Sequence, residues 1–122
     1  MAAKPMDLLH GTLDVLILRT LAWQPMHGYG VTRWIRDRTD GTLAIEDAPL
    51  YKAFHRLERD GCITAEWGIT ENNRRARYYK LTPHGRRALR MEETLWRRYA
   101  AAVFKVLDPA RGDTPAGSPA SA

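Results

Sequence analysis

Between Asp47 and Gly61 one short stretch gathers Tyr51, Lys52, His55, Arg56 and Arg59. These are cations and hydrogen-bond donors with a single aromatic among them. Their chemistry is recognition rather than bond breaking, since Lys and Arg pair with phosphate and Arg, Tyr and His can reach phosphate oxygens or base edges. Tyr51, through its hydroxyl to a phosphate, and Arg56, to phosphate or guanine, carry this expectation most directly, with Lys52 and His55 beside them. A second group follows in Asn73, Arg74, Arg75 and Arg77. Within it Asn72 and Asn73 equally suit a turn, and Arg77 shares a face with Tyr79 and could pair with a carboxylate instead. A basic amphipathic helix is by itself more often a solvated surface than a DNA reader. The elements that hold these residues must decide.

The first group lies on a predicted helix. Asp47 is its expected cap, Pro49 suits an early helical position, and Gly61 is a left-handed stop. Leu50, Ala53, Phe54 and Leu57 recur at helical spacing and form the buried back, which turns the cationic residues outward. Before it, Leu9, Leu13, Leu16, Ile17, Thr20 and Leu21 predict a core helix that starts near Asp7 or Thr12 and stops at Trp23, ahead of Pro25. After His27-Gly28-Tyr29-Gly30 comes a second helix with Val31, Trp34 and Ile35 inward and Arg33, Arg36 and Arg38 outward. Two glycines so near a helix start imply close packing or a special turn. Asp40-Gly41 marks a turn, and Leu43 to Ile45 an extended piece. Ile63, Ala65 and Trp67 then alternate with Thr64 and Glu66, and Arg77, Tyr79 and Leu81 with Ala76, Tyr78 and Lys80, so a hairpin with a cationic tip is expected. Tyr29 and Trp67 could stack on a flat ligand, but both are read as core. Thr82 and Pro83 start a long helix to about Leu107.

Composition narrows the classes. The 122 residues suit one ordinary domain, and 19 Lys plus Arg against 14 Asp plus Glu give a net charge of +5, which allows an anionic partner without requiring one. Cys62 is the one cysteine, so no intrachain disulfide and no Cys-rich zinc site can form; it reads as a small buried hydrophobe in a reducing, cytoplasmic protein. His10, His27, His55 and His84 show no paired metal spacing, and there is no phosphate-binding glycine loop or nucleophile elbow. Catalysis, a cofactor and a metal are therefore not expected. The run Leu13 to Leu18 is too short to cross a bilayer, and residues 1 to 10 lack the pattern of a secretion signal.

The order helix, helix, helix, strand, strand, long helix, with a basic third helix and a basic hairpin, describes a winged helix: α+β, mainly α. At this density the sequence resembles the PadR-like transcriptional regulators, in their short subfamily with a single C-terminal helix. The residues that carry the resemblance are Leu9-His10-Gly11-Thr12-Leu13-Asp14, His27-Gly28-Tyr29-Gly30, Leu50-Tyr51, His55 to Gly61, Glu66-Trp67, Arg75 to Thr82, and Gly85. They span about residues 8 to 107. The resemblance implies a homodimer whose long helices pair between subunits, a recognition helix starting near Pro49, and the hairpin as wing. Two departures stand out: Ala48-Pro49 replace the usual Gly-Ser before Leu-Tyr, and Lys52 replaces the usual Pro after it. Pro49 removes a possible Ser contact, and Lys52 adds charge where DNA would lie.

On this reading residues 1–82 form the DNA-binding domain, 83–107 the dimerisation helix and 108–122 a disordered tail. Leu89, Trp96, Tyr99, Val103 and Leu107 are assigned to the dimer face. By the resemblance, aromatics such as Trp96 can also line a central pocket for a small hydrophobic or aromatic effector, although plain dimer packing is the preferred use. The expected function is a repressor-like regulator that binds a palindromic operator in double-stranded DNA, with no membrane. Two rivals stay open: a winged-helix protein-interaction module, and a small-molecule-binding dimer without DNA.

Overall fold

The computed structural model describes residues 11 to 108. The expected arm at residues 1 to 6, the motif residues Leu9 and His10, and the tail after Asp108 lie outside the described residues.

Helix α1 (Thr12–Trp23) is what the other helices lean on. Ile17, Leu18, Thr20 and Leu21 are almost wholly buried, and Val15 nearly so, while Leu13 and Leu16 are only partly covered. Helices approach α1 from several sides, so its burial is broader than the single stripe its spacing suggests. The Thr20 hydroxyl avoids an unpaired buried state by donating to the Leu16 carbonyl at 2.8 Å. After Pro25, Met26 and His27 form a short strand, β1 (Met26–His27), which the sequence did not predict because two residues carry no period.

His27 also caps α2 (Gly28–Arg38), its Nδ1 accepting from the Gly30 amide at 3.0 Å. A Cβ on Gly28 would lie 2.5 Å from the Tyr51 hydroxyl, so this glycine serves close packing. Asp40 and Gly41 take left-handed angles, φ 51° and 80°, and make the expected turn. Helix α3 (Asp47–Arg59) buries Leu50, Ala53, Phe54 and Leu57 as predicted, but Glu46 is its boundary residue. Asp47 therefore does not cap; it sits in the first turn, where its carboxylate favours the helix dipole. Gly61, φ 78°, ends the segment.

Strands β2 (Ile63–Ile69) and β3 (Arg75–Leu81) run antiparallel from Ile63↔Leu81 to Ile69↔Arg75, and β1 adds on the other side of β3 to give the order β1-β3-β2. Tyr79 stacks on Phe54 with centroids 4.0 Å apart, which fastens the sheet to α3. Thr82 caps α4 (Pro83–Leu107) by accepting from the Gly85 amide at 2.9 Å. Gly85 passes so close to β2 that a Cβ would stand 2.0 Å from the Cys62 carbonyl oxygen. Leu89 is 5% exposed inside this core. Its expected place on the dimer face is corrected: the first turns of α4 complete the winged-helix core, and only the later turns project from it. At 25 residues α4 is about 37 Å long. The whole is an α+β, mainly α, winged helix-turn-helix with a long C-terminal helix. No helix among the described residues is long and apolar enough to cross a membrane.

Candidate nucleic-acid interface

The front of α3, the start of α2 and the inner side of the hairpin enclose an open groove of about 1020 Å³. Burial of Leu50, Ala53, Phe54 and Leu57 fixes the rotation of α3, so Tyr51 and His55 face this groove and Lys52 is exposed beyond its edge. From the opposite wall come Arg74, Arg75 and Arg77. Five of the expected contact residues thus converge, drawn from α3 and the wing.

Three do not join them. Asn73 has φ 58°, and its amide donates to the Thr70 carbonyl at 2.9 Å, so it builds the wing turn. Lys52 stands outside the groove. Arg56 turns to the flank of α3, where its Nη2 is hydrogen-bonded to Asp14 Oδ1 of α1. The guanidinium that the sequence offered to DNA is tethered to the first turn of another helix. Arg77 enters the groove but is also committed, its Nη2 donating to Glu58 Oε2 at 2.9 Å. The carboxylate alternative raised for it describes what it does.

Two aromatics read as core are corrected. Tyr29 is 63% and Trp67 59% exposed, and both line the groove. Trp67 continues the alternation of Ile63 and Ala65, but nothing closes over that face so far along the hairpin. The Arg75 guanidinium carbon lies 4.5 Å from its ring centroid. Arg33 also lines the groove. It follows Tyr29 by one helical turn, so the spacing held a signal for this residue; for Trp67 it held none.

Burial elsewhere discourages chemistry. The Cys62 thiol is pushed up by burial, with Asp60 adding to the effect, which keeps it protonated and unreactive. Burial also raises the Tyr79 phenol. Among the described residues no three His, Cys, Asp or Glu side chains converge as metal ligands.

Along α4, Tyr99 and Leu107 are well exposed, and Trp96 and Val103 partly so, with Leu95, Phe104 and Val106 exposed nearby. Trp96 is not wholly free, since its Nε1 donates to the Thr12 hydroxyl of α1 at 3.1 Å.

The sequence pattern of the transcriptional regulator PadR-like family matches residues 17–91. An uncharacterized protein of Lysinibacillus sphaericus is 34% identical over 80 residues, which cover 66% of this chain and 73% of that protein. Among solved structures, a transcriptional regulator from Clostridium thermocellum is 32% identical, covering 82% of this chain and 97% of its own with a TM-score of 0.73. A PadR family transcriptional regulator from Eggerthella lenta is also 32% identical, covering 81% and 84% with a TM-score of 0.68.

Proposed function

The chain belongs to the PadR-like family of transcriptional regulators, which are not enzymes, and from that premise we propose that it binds duplex DNA as a homodimer. The observation that carries this reading is the groove, where Tyr51 and His55 of α3 face Arg74 and Arg75 of the wing across a space open to a partner. Hydrogen-bonding groups on a helix and cations on a separate wing suit a duplex, because one can follow the major groove while the other meets the backbone beside it. Lys52 extends the phosphate contacts beyond the groove. Arg56 is assigned a different task, that of seating α3 against α1 through Asp14.

The exposed turns of α4 supply the dimer contact through Tyr99, Val103 and Leu107 together with Trp96. A twofold axis there carries two copies of α3, so the operator is palindromic, with half-sites one or a few helical turns apart at about 34 Å per turn. The expected output is repression. A small hydrophobic effector bound among the α4 aromatics releases the operator by altering how the long helices pack, which changes the spacing of the two reading helices.

The test is binding of the purified protein to the DNA upstream of its own gene, beside a scrambled duplex, at two salt concentrations. Tight, sequence-dependent binding that weakens steeply with salt is expected, since each phosphate contact releases counterions. Arg74→Ala with Arg75→Ala should abolish it. Equal, weak binding to both duplexes at low salt that these changes leave untouched would favour a protein-interaction module instead.

A further inference from the structure

The inner face of the β2–β3 hairpin runs past the core into the groove and presents Trp67 there. Trp67 stands opposite Arg77 and diagonal to Arg75, whose guanidinium carbon lies 4.5 Å from the centroid of its ring. Arg77 is held away by Glu58. On the outer face Tyr78 lies over Gly68, where a Cβ would fall 2.7 Å from the ring, and its hydroxyl donates to the Ile69 carbonyl at 3.2 Å. The strand under Trp67 is thus gripped from behind, and the indole rests on a stiff support. Ile69, on the same inner face, is also exposed.

Large aromatic side chains exposed in a cationic groove, here Trp67 and Tyr29, mark a contact surface. An Arg side chain normally loses much rotamer freedom when it binds. Stacked on an indole it is already ordered, and the N–H groups on its edge remain available because the ring occupies only its face.

We propose that Trp67 is a positioning residue for DNA binding: it holds Arg75 flat so that the guanidinium edge meets a phosphate, and its indole packs against the neighbouring deoxyribose. The occupant is the sugar–phosphate backbone of duplex DNA, chosen by charge, since Arg33, Arg74 and Arg75 line the same groove as the indole and outnumber its one lining carboxylate, Glu71. The proposal rests on the DNA-binding reading above and adds to it a residue and a role.

The experiment measures affinity and salt dependence of the full chain for a duplex selected from a random library, comparing wild type, Trp67→Leu, Trp67→Phe, Arg75→Ala and the Trp67→Leu/Arg75→Ala pair, with urea midpoints as a folding control. Trp67→Leu should weaken binding by about tenfold and lower the salt slope by about one, as Arg75→Ala does, because both lose the same phosphate contact. The double variant should be little worse than either single one, and Trp67→Phe should recover most of the affinity with the wild-type slope. If the two single losses multiply, or Trp67→Leu leaves affinity and slope unchanged in a protein that does select a duplex, the positioning role is overturned while the DNA reading stands. If wild type selects no duplex, both fall.

Discussion

One face of the hairpin lives in two environments. At its root Ile63, Leu81 and Tyr79 are buried beneath α3 and α4, and Phe54 stacks on Tyr79. Toward its tip Trp67, Ile69 and Arg75 occupy the same face, where Trp67 and Arg75 line an open groove and Ile69 is exposed beside it. The strand period continues unchanged from one region to the other. A period of two therefore tells which side a residue faces, while depth is set by whatever element stands across from it.

The sharpest contrast should come from Gly85, where the root is tightest. Gly85→Ala places a Cβ against the Cys62 backbone carbonyl, and neither partner is a flexible side-chain end. A loss above about 4 kcal/mol, or failure to fold, is expected in urea denaturation. Next, Phe54→Ala should cost about 3–5 kcal/mol by removing the stacked ring from the root. Its counterpart at the tip, Ile69→Ala, should stay within about 0.5 kcal/mol. Similar losses for the two would mean that the tip is covered in solution and would break the comparison.

Glu58 stands where the regions meet. Glu58→Ala removes the carboxylate that restrains Arg77, at a cost of about 0.5–1 kcal/mol for a half-exposed pair, and should tighten nonspecific DNA binding by leaving one more free cation in the groove. Titration measures a smaller difference. Cys62 and Tyr79, both at the root, have ionisations raised by burial. The unfolded chain releases these protons first, so their contribution is complete below the unfolded values, about pH 8.5 and 10, and is lost as pH rises through the folded ones. Melting temperature should fall in that window, and Cys62→Ala should remove the earlier part of the fall.

Much of this was legible in the sequence because local rules governed it. The apolar back of α3, the Asp40-Gly41 turn, the left-handed Gly61 and the Thr82-Pro83 start of α4 each follow from a few adjacent residues. What escaped depends on distant ones. Arg56 has the outward phase of a DNA contact, yet Asp14, 42 positions away, takes it. Leu89 continues the stripe of the projecting helix, but the turn it occupies packs against the core. Trp67 and Tyr29 were misplaced for the same reason, since aromatic residues among apolar neighbours read as interior until the missing opposite wall is seen. β1 had too few residues to announce itself.

The contact between Gly28 and Tyr51 bears on how this protein can change over generations. The missing Cβ of Gly28 leaves space for the end of a flexible side chain, so Ala at 28 can be accepted by a small swing of Tyr51 with little harm to the fold. That swing moves a hydroxyl on the groove-facing front of α3. A substitution in α2, outside that helix, can therefore drift through selection for folding and, on the DNA-binding proposal above, still alter which operators are favoured. The two positions are expected to vary together among descendants of this sequence, with a larger residue at 28 accompanied by a shorter one at 51.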